Sequence, residues 1–456
     1  MAPRILRSLG QQYENKKTFA VIIMLLISVL VLDTSLFRIS ELIRVYVTPE
    51  WTTILFVFMS VIYLVGQHNL IRFARTKIRQ IRARGYLHLN LLHKSVTITQ
   101  YLLSGIIVFV LLQILVFSEF YTSAIGVTAV ISYLMAIFMM MFLSLRFLSW
   151  FRLHKNPVVL FYLLSTITLT INAVFSFALI LTISPGIPSL VGESQIAGMT
   201  RPIAASPLAT ALNNGNIVTA ILSFILLWVA TSILLREYSK RIGRITYWAL
   251  VSIPLVYFLS QFPALFFNIF DFLIISNPTL FGIVLTLFFN LSRIAGGILF
   301  GIAFWTVARH LPDNTAVKSY MVIAAYGLIL FYISNQAGSS LFQLGGVYPP
   351  FGLLTTAIIG LSSYLMLVGI YSSAMSVAQD SRLRRAIRKS IQQQSSLLDK
   401  IGTAQMQQEI ENNVLSTIKS HAESLTNETG IDTSLDENEI KEYMNEVIAK
   451  ILPKKI

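Results

Sequence analysis

Ten long runs of apolar side chains, between 19 and 29 residues each, set the terms on which this chain can fold. A helix rises ~1.5 Å per residue, so runs of this length match the ~30 Å hydrocarbon core of a bilayer. They fall at 19–37, 51–69, 98–118, 124–145, 157–183, 216–235, 245–266, 280–308, 319–338 and 352–376. In lipid only helices and closed barrels satisfy their own backbone groups. The short alternating strands of a barrel are absent. The expected fold class is therefore all-α: a polytopic transmembrane helix bundle of about ten spans, N-in and C-in, with a C-terminal cytoplasmic helical tail.

Composition agrees. Hydrophobic residues make up 55% of the chain and charged residues 12%, against about 25% charged in a soluble domain. There is no cysteine, which excludes thiol nucleophiles, Cys-ligated zinc and iron–sulfur clusters. The basic flank before the first run is not followed by a small-residue cleavage site, so a retained first helix is expected, with 1–18 as a cytoplasmic N-terminus.

Orientation follows from charge. Residues 1–376 hold 24 Lys and Arg against 9 Asp and Glu, while the tail, 377–456, holds 11 against 12. With the N-terminus inside, cytoplasmic connections carry 20 of the cations and outside loops three, Arg38, Arg44 and Arg201. This is the positive-inside pattern. It accounts for the basic pI without nucleic acid. In the link 70–97, Arg72, Arg75, Arg79 and Arg82 recur at helical spacing and fall on one face. That face is expected to rest on anionic lipid headgroups.

The longest outside loop, 184–215, is rich in Pro, Gly, Ser and Asn and is expected to lack long regular structure. It divides the spans five and five. A weak internal match aligns Asn172 with Asn290, as an inverted repeat would. In the tail, Leu383, Ile387, Ile391, Leu398 and Ile401 make an apolar stripe. Gly402 reads as a break, and a second helix is expected over 404–426 with Ile410, Val414 and Ile418 on one side. NETG at 427–430 is a stop, and Asp436 caps a short last helix.

The sharpest chemical signal is Arg293, in FFNLSRIAGGILF inside the eighth run. A cation at membrane depth needs a partner or a wet cavity. Asn290 and Ser292 flank it, and Gly296-Gly297 follows, which breaks a helix or admits a close neighbour. Candidate substrate-binding residues are Arg293, Asn290, Ser292, Asn172, Asp33 and Asp271. The two acids are the ones placed to pair with the arginine from the outer half. Gln113, Asn172 and Asn290 read equally as amides that fasten helices. Pro254 and Pro263 predict kinks. The six histidines form no HExxH motif and are expected in solvated positions near the cytoplasmic side. No catalytic residue, metal site or cofactor motif is found.

The stretch SRLRRAIRKSIQQQSSLLDKIGTAQMQQEIENNV at 381–414 resembles the post-membrane segment of a group of uncharacterised archaeal multi-pass membrane proteins. The resemblance implies a single-membrane cell, hence a plasma-membrane location, and brings no activity. The reading that fits is a membrane sensor or scaffold coupling the bundle to the tail, with self-association or a protein partner through 379–451. The alternatives are a transporter or lipid-handling protein with its site near Arg293 in an interrupted eighth helix, and a membrane-embedded lipid-modifying enzyme. The last would require a crevice lined by His88, His93 and the arginines of 72–84.

Overall fold

The computed structural model describes residues 2–39, 47–82, 87–184, 190–192, 206–236, 239–266, 272, 276–277, 280, 284, 291–311, 316–335, 348–380, 383–384 and 394–429; the side chains of 2–17, 38, 78–82, 87–90, 241, 263–266, 394–396, 415, 419 and 422–429 lie outside that description. In chain order the helices are α1 (Ala2–Arg38), α2 (Pro49–Arg82), α3 (Leu87–Phe117), α4 (Thr122–Leu153), α5 (Pro157–Ile183), α6 (Pro207–Leu235), the single turn α7 (Ser239–Ile242), α8 (Arg244–Phe266), α9 (Leu291–Arg309), α10 (Ala316–Ser334), α11 (Leu353–Gln379) and α12 (Gln394–Thr429). Among the described residues ten of these are long and apolar enough to cross a membrane, and α12 is not one of them. Asp436 and the last predicted helix lie outside the described residues.

Several helices are longer than their apolar runs. The link 70–97 is not a separate basic helix. Instead α2 continues to Arg82 and α3 begins at Leu87, because residues 70–82 keep high helix propensity and contain no Gly or Pro. The sixth run was expected from 216, yet α6 begins at Pro207. Ser206 accepts a hydrogen bond from the Ala209 N–H at 3.1 Å and Pro207 occupies the first turn. This Ser-Pro start overrides the turn-like composition of 213–216. The fifth run begins the same way, with the Asn156 side chain accepting from the Val158 N–H at 2.9 Å ahead of Pro157. Helix α8 runs on through Pro254 and Pro263.

The centre of the bundle is α11. Every residue from Leu353 to Ala378 is buried except Tyr371. Its partners are α10 and α4 above all, then α1, α2, α3 and α12. Small residues set these distances. A Cβ on Gly327 of α10 would lie 2.6 Å from the Met366 backbone nitrogen, and one on Gly369 would lie 2.5 Å from that of Ala324. The two backbones therefore touch, the arrangement by which lipid-embedded helices gain packing without a hydrophobic driving force. Against α4, Ser132 Oγ accepts from the Gly360 N–H at 3.1 Å.

Helices α9 and α10 are antiparallel neighbours, as are α10 and α11. The start of α9, the end of α10 and the start of α11 thus lie on one side of the bundle. That side also holds a two-stranded antiparallel clip, β1 (Glu119–Tyr121) with β2 (Leu190–Gly192), in which Phe120 faces Val191. The end of α11 and the start of α12 lie on the opposite side, with the exposed Arg72 and Arg75 of α2.

Candidate functional site

Arg293 sits in the first turn of α9. Helix α9 is unbroken through Gly296-Gly297, and the glycines serve close packing. A Cβ on Gly296 would lie 2.2 Å from Phe224 Cε2, and one on Gly297 would lie 2.6 Å from Tyr332 Cβ. The rings of Phe224 (α6) and Tyr332 (α10) thus press directly on the α9 backbone. Phe300, one turn further along α9, meets both edge-on, at 5.2 and 5.0 Å between ring centroids. Phe258 (α8) stacks on Phe224 at 4.0 Å. The Arg293 guanidinium lies 6.0 Å over the Phe258 ring. The interruption expected of the eighth run is therefore absent from Leu291 onward; residues 285–290 lie outside the described residues.

The electrostatic neighbours of Arg293 are Tyr133 (α4) and Tyr332. Among the described residues it has no ion pair and no hydrogen bond, and it keeps partial exposure. The Tyr332 hydroxyl is buried without a hydrogen-bond partner. The Tyr133 hydroxyl reaches toward Ser176 but makes no hydrogen bond of normal geometry.

Beside this group runs an amide ladder. Asn172 Nδ2 donates to the Asn216 carbonyl at 2.8 Å, to Asn216 Oδ1 at 3.2 Å and to Thr219 Oγ1 at 3.1 Å. Asn216 Nδ2 donates to Ser176 Oγ at 2.5 Å. Asn335, just past α10, donates to Asn172 Oδ1 at 3.0 Å, while its own Oδ1 is buried without a partner. Asn172 thus ties α5, α6 and the end of α10 together. Asn335 is three residues past Tyr332, on the same helical face.

Asp33 is placed elsewhere. Its carboxylate accepts from the Gly352 N–H at 2.9 Å, the Thr355 N–H at 2.9 Å and the Thr355 hydroxyl at 2.5 Å. It caps α11 from another helix. Ser292 is fully buried. Asn290 and Asp271 lie outside the described residues. Arg72 and Arg75 are exposed on α2, and the side chains of Arg79 and Arg82 lie outside the description.

The histidines correct one expectation. His93 is not solvated: it is 6% exposed, and its Nδ1 lies 2.7 Å from the Tyr364 hydroxyl of α11. The early start of α3 carries it into the bundle. That removes it from the cytoplasmic crevice an enzyme reading requires; His88's side chain lies outside the description. A groove of about 370 Å³ does open between α3 and α4, but seven of its nine lining residues are apolar, Met135, Phe138 and Met139 among them. No group of three potential metal ligands occurs among the described residues.

The sequence pointed to Arg293 and Asn172 but not to Tyr133, Tyr332, Asn216, Asn335 or Phe258. A Tyr-x-x-Asn pair ending an apolar run was the available signal for two of them. Fold and site together define a multi-pass α-helical membrane protein with a buried polar cluster around one arginine. Compared with protein-family models, with curated proteins and with solved structures, this chain matches none.

Proposed function

We propose that the protein is a membrane sensor or scaffold whose helical bundle is coupled to its cytoplasmic tail, in the plasma membrane of a single-membrane cell. The supporting observation is the seat of α12. Leu397, Leu398, Ile401, Thr403, Ala404 and Gln405 are all buried, against α11, α4, α5 and α6. Gly402 does not break the helix. A Cβ there would lie 2.3 Å from Val377 Cγ1, so the tail backbone presses on the last turn of α11. Gln405 Oε1 accepts from the Trp150 indole N–H at 3.1 Å. Trp150 in turn stacks on Tyr371 of α11 at 6.5 Å, and Arg146 lies 4.8 Å over the same tyrosine. A shift of α11 therefore moves the tail.

The route between them is not one continuous helix. Asp380 takes an extended backbone and ends α11. Its carboxylate accepts from the Leu383 N–H at 2.9 Å, and Arg384 donates to the Ala378 carbonyl. A new turn starts there.

Beyond the seat the tail departs from the bundle. Ile410 is exposed, and Val414 and Ile418 are half-buried; at four-residue spacing the three share a stripe. This stripe suits a partner helix or a second copy. Residues 72–82 lie on the same side and suit anionic headgroups. Deleting residues 406–456 leaves the buried seat in place. Two differently tagged copies, or a cross-linked partner, are expected with the full chain and not with the shortened one. Equal recovery from both sinks the reading.

A further inference from the structure

We propose that Arg293, Tyr332 and Tyr133 form a binding site for an oxyanion, a carboxylate or phosphate group, entered from the side of the bundle opposite the tail. The proposal stands apart from the tail reading and survives its failure.

A guanidinium carries five N–H donors and no acceptor, and it is always charged. In a membrane-spanning bundle such a group is expected to pair with an acid or with backbone carbonyls. Arg293 does neither among the described residues. Phe258 meets it through its π face at 6.0 Å, which is an attraction to the charge and uses none of the donors. Of the acids with described side chains, Asp33 caps α11, Glu50 is exposed at the start of α2, Glu119 lies in β1, and Asp380, Asp399, Glu409 and Glu411 stand at the end of α11 or on α12, on the opposite side of the bundle.

The groups around the arginine point the same way. Tyr332 is 6% exposed and Tyr133 is fully buried. The Tyr332 hydroxyl has no acceptor among the described residues. Among the described residues the guanidinium and the Tyr332 hydroxyl are donors without an acceptor, and Tyr332 sits against Gly297, one turn along α9 from the arginine; the Tyr133 hydroxyl, which reaches toward Ser176, is the further donor of the neighbourhood. An oxyanion satisfies them at once, through paired N–H bonds from arginine and O–H bonds from tyrosine. Asn335 Oδ1, one turn from Tyr332 and also unpaired, is the acceptor for a donor on the neighbouring atom of the ligand or for a water beside it.

The scaffold keeps this geometry. Phe224 and Tyr332 are seated on Gly296 and Gly297, so the floor under the arginine is a fixed aromatic layer. Arg293 heads α9 while Tyr332 and Asn335 end α10. The group therefore lies toward the side of the bundle away from α12, and the arginine keeps partial exposure there. Two sources of oxyanion reach that position: a solute of the external medium and the headgroup of an outer-leaflet lipid.

The test uses the full chain in nanodiscs, with the thermal midpoint read by tryptophan fluorescence. Acetate and inorganic phosphate are titrated against chloride at constant ionic strength in phosphatidylcholine discs. A parallel series replaces part of the lipid with phosphatidylglycerol. A rise with acetate or phosphate in the neutral discs identifies a solute site; a rise only with phosphatidylglycerol identifies a headgroup site. In either case Arg293→Gln is expected to raise the half-saturating concentration at least about tenfold, the loss of one charge-assisted bond. Tyr332→Phe gives a smaller rise in the same direction. Should Arg293→Gln fail to fold, Arg293→Lys keeps the charge and loses the paired bonds, and weaker binding is again expected. The proposal is overturned if no oxyanion or anionic lipid moves the wild-type midpoint. It is also overturned if the arginine and tyrosine variants respond as the wild type does.

Discussion

Asp33 and Arg293 are both ionisable side chains inside the same apolar bundle, near the same side of it, and their surroundings differ completely. Asp33 receives two backbone N–H groups and a threonine hydroxyl within 2.9 Å. Arg293 donates no hydrogen bond among the described residues. The reason lies in what each neighbour needs. Helix α11 starts inside the protein, where water cannot satisfy its first N–H groups. Its own cap position is Gly352, at φ 89°, which offers no side chain. The acid must come from another helix, and α1 supplies it at the positive end of the helix dipole. The first charge is a structural part; the second makes no bond among the described residues, and the oxyanion proposed above would supply one.

The largest expected effect tests the structural half of that contrast. Asp33→Ala leaves at least two buried N–H groups unpaired at the head of the most buried helix. Each costs about 1–3 kcal/mol, so the thermal midpoint in detergent is expected to fall by many degrees. Asp33→Asn keeps one acceptor oxygen and is expected to recover part of the loss. An Asp33→Ala protein as stable as the wild type would remove the capping role.

A second pair of substitutions asks whether α11 is held by backbone contact or by apolar bulk. Gly369→Val puts a side chain where Ala324 N already stands at 2.5 Å, and over-packing of this kind costs about 1–3 kcal/mol or more. Gly105→Ala, in α3, meets nothing within 4 Å. It is expected to change the midpoint little, or to raise it by up to about 1 kcal/mol through helix propensity. Equal losses from both would show that position along the bundle does not matter.

The contrast between these two glycines was not legible in the sequence. Hydropathy marks both helices as spans because lipid and protein interior are equally apolar solvents. Nothing in an all-apolar run says which side faces which. The frequent Gly, Ser and Thr of α11 were the available trace of its burial. The cluster was half legible. Arg293 stands out because a cation in such a run demands an explanation, and Asn172 because an amide does. Tyr133, Tyr332 and Phe258 come from three other helices and meet Arg293 only through tertiary packing. Asn216 was hidden because NNGN resembles a loop, although the Ser206-Pro207 start determines that it is helical. Gly402 was read as a break from its backbone freedom alone. The structure uses its missing side chain instead, to let α12 approach Val377.

Gly402→Val tests that approach and moves the comparison to the tail. The new side chain collides with Val377, and the seat is expected to loosen by about 1–3 kcal/mol while the bundle stays folded. Limited proteolysis reads the difference. Cleavage within residues 394–429 is expected to speed up at least severalfold, with the membrane fragments unchanged. Unchanged tail cleavage would mean that the seat does not hold the tail.

The smallest effect on stability is expected from the residue with the strongest chemical signal. If Arg293 were a structural part like Asp33, Arg293→Gln would cost as much as Asp33→Ala. An unpaired guanidinium in a low-dielectric site is instead a burden on the fold, partly offset by the Phe258 ring at 6.0 Å, an interaction worth about 0.5–2 kcal/mol. Replacing it with a neutral amide of shorter reach removes both terms. In chloride alone, without oxyanion or anionic lipid, the midpoint of Arg293→Gln is expected within about 1 kcal/mol of the wild type, on either side. A collapse on the scale of Asp33→Ala would show that Arg293 is bonded after all, to a group such as Asp271 beyond the described residues. The double variant Arg293→Gln with Asp271→Asn would then recover the loss, since removing both halves of a buried pair costs less than removing one.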